Sequence, residues 1–115
     1  MIKKGYKLII IIVNKGWNST VIEASREAGA KGATVLKGRG SGLKIAALFG
    51  IPVEPEKDII ICAVPAEISE KVLESISHSA ALQKPGNGIA FILPIESIVG
   101  VYQGDNEDET PDDEA

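Results

Sequence analysis

The stretch TVLKGRGSG, Thr34 to Gly42, sets three glycines at alternate positions among two basic side chains, Lys37 and Arg39, and two hydroxyls, Thr34 and Ser41. Glycines let a main chain approach a phosphate closely, and cations add charge-assisted bonds to one. The spacing is not that of a Walker A loop, and Leu43 after Gly42 breaks the Gly-x-Gly-x-x-Gly pattern. On pattern alone a basic, turn-rich loop base explains these residues at least as well as an anion cradle, because glycine enrichment is common in turns.

A second glycine segment, KPGNG from Lys84 to Gly88, has the same two sides. Its Asn-Gly pair is a strong turn signal. The functional alternative sets Gly86, Asn87 and Gly88 against an anion. Nothing else assembles catalytic chemistry. Cys62 stands mid-strand between Ile61 and Ala63 with no basic neighbour, as a small core residue does. One His and one Cys do not make a zinc site, and His78 reads as a surface residue near a helix end. Glu54, Glu56 and Asp58 could be acid–base carboxylates; a solvated loop entering a strand is the better reading. Trp17 reads as a packing residue or the cap of a subunit contact. The chain is therefore not expected to be an enzyme, and neither a required cofactor nor a metal is expected.

The elements that must position these residues follow from hydrophobic periodicity. YKLIIIIV is a buried strand. Thr20 and Glu23 have capping-box spacing and open a helix over 21–28, with Gly29 as its stop. GATVLKG is a second strand. Residues 39–56 form a long connection, with a helical turn over 43–49. KDIIICAV is a third strand. PAEISEKVLESISHSAAL carries Ile68, Val72, Leu73, Ile76 and Ala80 at helical spacing. IAFILPI is a fourth strand with Pro94 near its end, as suits an edge, and SIVGVY a short fifth. Two βαβ halves make an α+β, ferredoxin-like split-βαβ (βαββαβ) domain with two helices on one sheet face. The strands are apolar on both faces, so both faces need cover. Two helices cover one; self-association into a closed ring covers the other.

The chain has 115 residues, enough for one domain with a modest core. That domain is expected over residues 1–104, with an acidic, disordered tail at 105–115. Its longest apolar run, Leu8 to Val13, is too short to cross a bilayer, and no cleavage pattern follows it. A lone cysteine suits a reducing compartment, so a cytoplasmic location is expected. The net charge is −4, yet seven of the sixteen acids lie in the tail; without them the body is mildly basic. That balance suits a small anionic ligand. It does not point to nucleic acid, because the cations are scattered and no aromatics interleave them.

The element order, TVLKGRG, EPEKDIIICAVP and PGNGIAFILPIESIVGV together resemble the P-II family of nitrogen-regulatory signalling proteins over about residues 5–102. The last motif carries most of the resemblance, with Gly86, Asn87, Gly88, Ile89, Ala90 and Phe91 in place of the family's Gly-Asp-Gly-Lys-Ile-Phe. The resemblance implies a homotrimer whose inter-subunit clefts bind an adenine nucleotide, ADP, AMP or ATP, as a regulatory ligand. It places Gly32, Thr34, Val35, Lys37, Gly38, Arg39, Gly40, Cys62, Gly86, Asn87 and Gly88 in the nucleotide site. It also implies an exposed T-loop, here shortened to 39–56, that docks on a protein partner such as a membrane transporter; Ser41, Leu43, Lys44 and Phe49 fall on it. The family's lysine stands at Ile89 here and its two arginines at Gly100 and Tyr102, so weaker binding, or a preference for ADP or AMP over ATP, is expected. Rival readings are a ligand-free trimeric scaffold, a sensor of another small anion such as bicarbonate, a divalent-cation-tolerance protein of similar trimeric fold, and a slow nucleotide hydrolase.

Overall fold

The computed structural model describes residues 1–37, 48–50 and 56–101, Lys37 through its backbone alone. In chain order the elements are β1 (Ile2–Lys3), β2 (Tyr6–Asn14), α1 (Asn18–Glu27), β3 (Thr34–Lys37), β4 (Lys57–Pro65), α2 (Ala66–Ser79), β5 (Gly88–Ile95) and β6 (Ile98–Val99). The acidic tail, the segment 38–47 and the segment 51–55 lie outside the described residues.

Four strands form one antiparallel sheet in the order β3-β4-β2-β5, the split-βαβ arrangement expected from the sequence. Register is continuous across it, with Ile10 opposite Ile61 on one side and Phe91 on the other. Pro94 lies on β5, an edge strand, where its missing N–H costs no ladder bond. A two-stranded ribbon of β1 and β6, Ile2 opposite Val99, joins the ends of the domain.

Alternation along the strands divides the apolar residues between two faces. Ile9, Ile11 and Val13 of β2 and Ile60, Cys62 and Val64 of β4 pack against Val21, Ala24, Val72 and Ile76 of the helices. Each such aliphatic side chain contributes about 1.5–3 kcal/mol through burial. Ile10, Ile12 and Ile59 form a second cluster on the other face, flanked by half-buried Leu8, Leu36, Ile61 and Phe91. The Phe49 ring meets Phe91 edge-on at 5.0 Å there. Ile89 and Leu93, whose strand positions share that face, remain exposed.

The helix ends differ from the sequence expectation. Helix α1 opens at Asn18 with Trp17 as N-cap and no side-chain cap, so Thr20 lies inside the first turn and the Thr20–Glu23 capping box is not formed. The cause is remote. Asp58 Oδ2 accepts from Gly16 N at 3.0 Å and from Asn18 Nδ2 at 2.8 Å, which fixes the chain entering the helix. At the other end Gly29 N donates to Arg26 O and Ala30 N to Ser25 O. That pair of bonds is a Schellman stop, with Gly29 at φ +115°. Helix α2 stops at Ser79, and the same pattern ends it: Ala81 N donates to His78 O and Leu82 N to Ser77 O. Here the left-handed position is held by Ala81, at φ +53°.

Candidate functional site

At the β3 edge of the sheet the chain folds around an open pocket of about 490 Å³. Lys31, Gly32, Ala33 and Thr34 form one wall as the chain enters β3. Ile61, Cys62 and Ala63 of β4, with Leu8 and Val101, form the rest. This brings together three expected site residues, Gly32, Thr34 and Cys62, and adds Lys31, whose charge the sequence reading passed over. Thr34 stands opposite Ile61 on the face turned away from the helices. Val35, also expected in the site, turns the other way and packs against the helix-side core instead of lining the pocket. Among the described residues the outer edge of β3 pairs with no strand, and main-chain groups on such an edge can read the donor–acceptor edge of a planar base. The apolar wall suits the face of such a base, and the volume suits a small molecule.

Cys62 is buried, and burial pushes its thiol up to about 11. Burial that favours the protonated thiol disfavours its reaction as a thiolate nucleophile. Its part in the pocket is shape. Among the described residues no three His, Cys, Asp or Glu side chains gather as a metal site would require. No helix among them is long and apolar enough to cross a membrane. His78 lies exposed in the last turn of α2.

The second glycine segment lies at the opposite edge. Gly86 and Gly88 both hold positive φ, +87° and +146°. A Cβ on Gly88 would sit 2.5 Å from the Ile12 carbonyl oxygen, so the glycine is demanded by the close approach of β5 to β2. The Asn87 amide donates to Ala81 O at 2.9 Å and its backbone N to Lys84 O. Asn87 thus closes the turn after α2. A groove of about 270 Å³ between Leu73, Ser77, Gln83 and Ile89 runs beside Gly88.

In the register, Lys37 stands opposite Asp58, Asp58 opposite Val13, and Val13 opposite Gly88. Lys37, the last described residue of the first glycine segment, and Gly88 therefore share one end of the sheet but sit on its two edges, three strand spacings or roughly 14 Å apart. One chain does not bring them together. Gly38, Arg39, Gly40, Ser41, Leu43 and Lys44 lie outside the described residues, and Phe49 is the one residue of the expected docking loop set that is described.

Between the edges runs a polar network that the sequence reading missed. Lys57 Nζ donates to Asn14 Oδ1 at 2.8 Å, and Asn14 Nδ2 donates to Gly86 O at 3.1 Å. Lys15 binds Glu56 twice, backbone N to O at 3.1 Å and Nζ to carboxylate at 3.2 Å. Asp58, expected on a solvated face, is 1% exposed and bound to Gly16 and Asn18. The correction has a physical basis: a carboxylate is buried only where donors meet it, and these donors lie forty or more residues away.

A family model described as "Nitrogen regulatory protein P-II" matches residues 6–105, and the chain belongs to that family of signalling proteins. Two solved structures show the same fold. A P-II protein of Arabidopsis thaliana, bound to citrate, is 23% identical, with a TM-score of 0.61 over 82% of this chain and 80% of that one. The CPII protein of Thiomonas intermedia K12, bound to ADP, AMP and acetate, is 22% identical, with a TM-score of 0.61 over 88% and 93%.

Proposed function

We propose that this P-II protein acts as a cytoplasmic homotrimer that binds an adenine nucleotide between subunits and regulates a protein partner through residues 39–56. The observation that carries the reading is the placement of the glycine segments. Thr34–Lys37 and the Gly86–Gly88 turn occupy opposite edges at one end of the sheet, so a site using both takes one from each of two chains. The apolar sheet face, with Ile89 and Leu93 exposed, gives three copies a surface to bury. The base enters the pocket of Gly32, Thr34 and Cys62. Lys31, Lys37 and Arg39 supply charge at one side, and the Gly86–Gly88 turn closes the other.

Exposed Ile89 offers no charge where the family's lysine stands, and Gly100, at φ +90°, is equally uncharged. ADP or AMP is therefore favoured over ATP. A nucleotide that prefers one arrangement of residues 39–56 shifts the surface offered to the partner; a membrane transporter is one such partner. No part of this mechanism requires turnover. The test is the melting temperature of the full chain with millimolar ATP, ADP or AMP, since a ligand bound to the native state alone raises it. A rise with ADP or AMP supports the reading. An unchanged melting temperature with all three, in a chain that sediments as a trimer, leaves a ligand-free scaffold.

A further inference from the structure

Lys57, the first residue of β4, is 9% exposed, and its ammonium makes a hydrogen bond to Asn14 Oδ1. Asn14 ends β2, and its amide nitrogen holds the Gly86 carbonyl. The orientation of that amide is fixed by its partners: a carbonyl takes only a donor and an ammonium only an acceptor, so a flipped amide breaks both bonds at once. Asn14 thus touches both the chain returning from the loop and the turn that precedes β5. The neighbouring Lys15 clasps Glu56 through main chain and side chain, so the same two residues of β2 and its turn hold both residues of the loop root.

We propose that Asn14 is a positioning residue that couples the loop root, Glu56–Lys57, to the glycine turn, Gly86–Gly88. A change at one end is transmitted because Asn14 keeps both of its bonds in only one placement. When Lys57 withdraws, the Asn14 amide loses the acceptor-side anchor that aims its N–H at Gly86, and the turn loosens. When the turn moves onto a ligand, the amide is drawn with it and the root is held or released. The coupling is reciprocal, as any equilibrium linkage must be. It rests on the nucleotide reading only for the identity of the ligand; the link itself belongs to the free chain.

The experiment is amide hydrogen exchange on the full-length protein, wild type against Lys57→Met, Asn14→Asp and Asn14→Leu, each confirmed as folded by circular dichroism. Asn14→Asp keeps an acceptor for Lys57 and places an oxygen against the Gly86 carbonyl. It should speed exchange at Asn87 and Gly88 about fivefold, the effect of one hydrogen bond. Lys57→Met should speed the same amides, although it lies on a different strand. Asn14→Leu should speed both ends. Turn exchange within about twofold of wild type in Lys57→Met overturns the proposal. If that variant does not fold, Asn14→Leu decides: a wild-type rate at either end overturns it. ADP added to wild type should slow exchange at both ends, and in Asn14→Asp at the turn alone; equal slowing of both ends in Asn14→Asp overturns the coupling. If ADP alters nothing in wild type while Lys57→Met still reaches the turn, the coupling stands and the nucleotide reading falls.

Discussion

Gly88 lies so close to Ile12 that an added Cβ would stand 2.5 Å from the Ile12 carbonyl oxygen and 2.9 Å from Val13 Cγ1. The nearest contact is with main chain, which cannot rotate aside, and the φ of +146° is itself foreign to side-chain-bearing residues. Gly88→Ala is expected to destabilise the domain by about 2–4 kcal/mol. A urea denaturation curve measures it, and a loss below about 0.5 kcal/mol would mean that β5 moves away from β2 at no cost.

Ala81 offers the opposite experiment. It holds the left-handed position of a Schellman stop, at φ +53°, where glycine is the usual occupant. Ala81→Gly is expected to raise stability by about 1 kcal/mol. A lower melting temperature for the variant contradicts the strain assigned to this residue.

Asp58 is expected to be the most damaging single carboxylate to remove. Its Oδ2 binds the Gly16 amide and the Asn18 side chain, and it is almost wholly buried. Asp58→Ala leaves those donors facing a cavity and should cost about 3 kcal/mol. Glu56→Gln, which weakens an ion pair between exposed or half-exposed groups, should cost under about 1 kcal/mol. Comparable losses in the two variants would contradict the description of Asp58 as the anchor of the helix entry.

These positions also mark where the sequence was legible. The runs YKLIIIIV, KDIIICAV and IAFILPI are dense in β-branched residues, and each became a strand within a residue or so of its expected ends. Gly29 was readable as a stop because a left-handed residue there is a local requirement. The start of α1 was not, because it is set by Asp58, forty residues on in the chain. The same limit hid the site's polar frame. Asn14, Lys57 and Asp58 look like strand-end polar residues until the register places them side by side. Gly32, Thr34 and Cys62 were named as a group through family resemblance, and the antiparallel pairing of β3 with β4 is what brings them to one pocket. Of the outer ribbon, β6 falls within the short fifth strand expected over SIVGVY, whereas β1, only Ile2 and Lys3, is too short to carry a periodic signal.

Cys62 gives a pH dependence with a definite sign. Its thiol is raised from 9.0 to about 11 by burial. A group whose folded value lies above its unfolded one contributes stability that is complete below pH 9 and is lost as pH rises toward 11. Wild type is expected to lose stability relative to Cys62→Ala across that window, by an amount on the order of 2 kcal/mol. Parallel denaturation midpoints for the two proteins from pH 7 to 11 would show that the thiolate is tolerated where it stands. For the same reason alkylation of native Cys62 at neutral pH should be far slower than in the unfolded chain.

The central claim is a nucleotide site shared between chains, and calorimetry tests it most directly. ADP, AMP and ATP are titrated into the full chain, and into Lys31→Ala and Thr34→Val, whose side chains border the pocket. The expected result is saturable binding near one nucleotide per chain in a trimeric sample, tighter for ADP or AMP than for ATP. Lys31→Ala should weaken the phosphate-bearing ligands by about tenfold, or about 1.4 kcal/mol. Absence of heat from all three nucleotides up to millimolar concentration, where binding is worth only about 4 kcal/mol, would contradict the claim; so would equal affinity of wild type and both variants for every nucleotide.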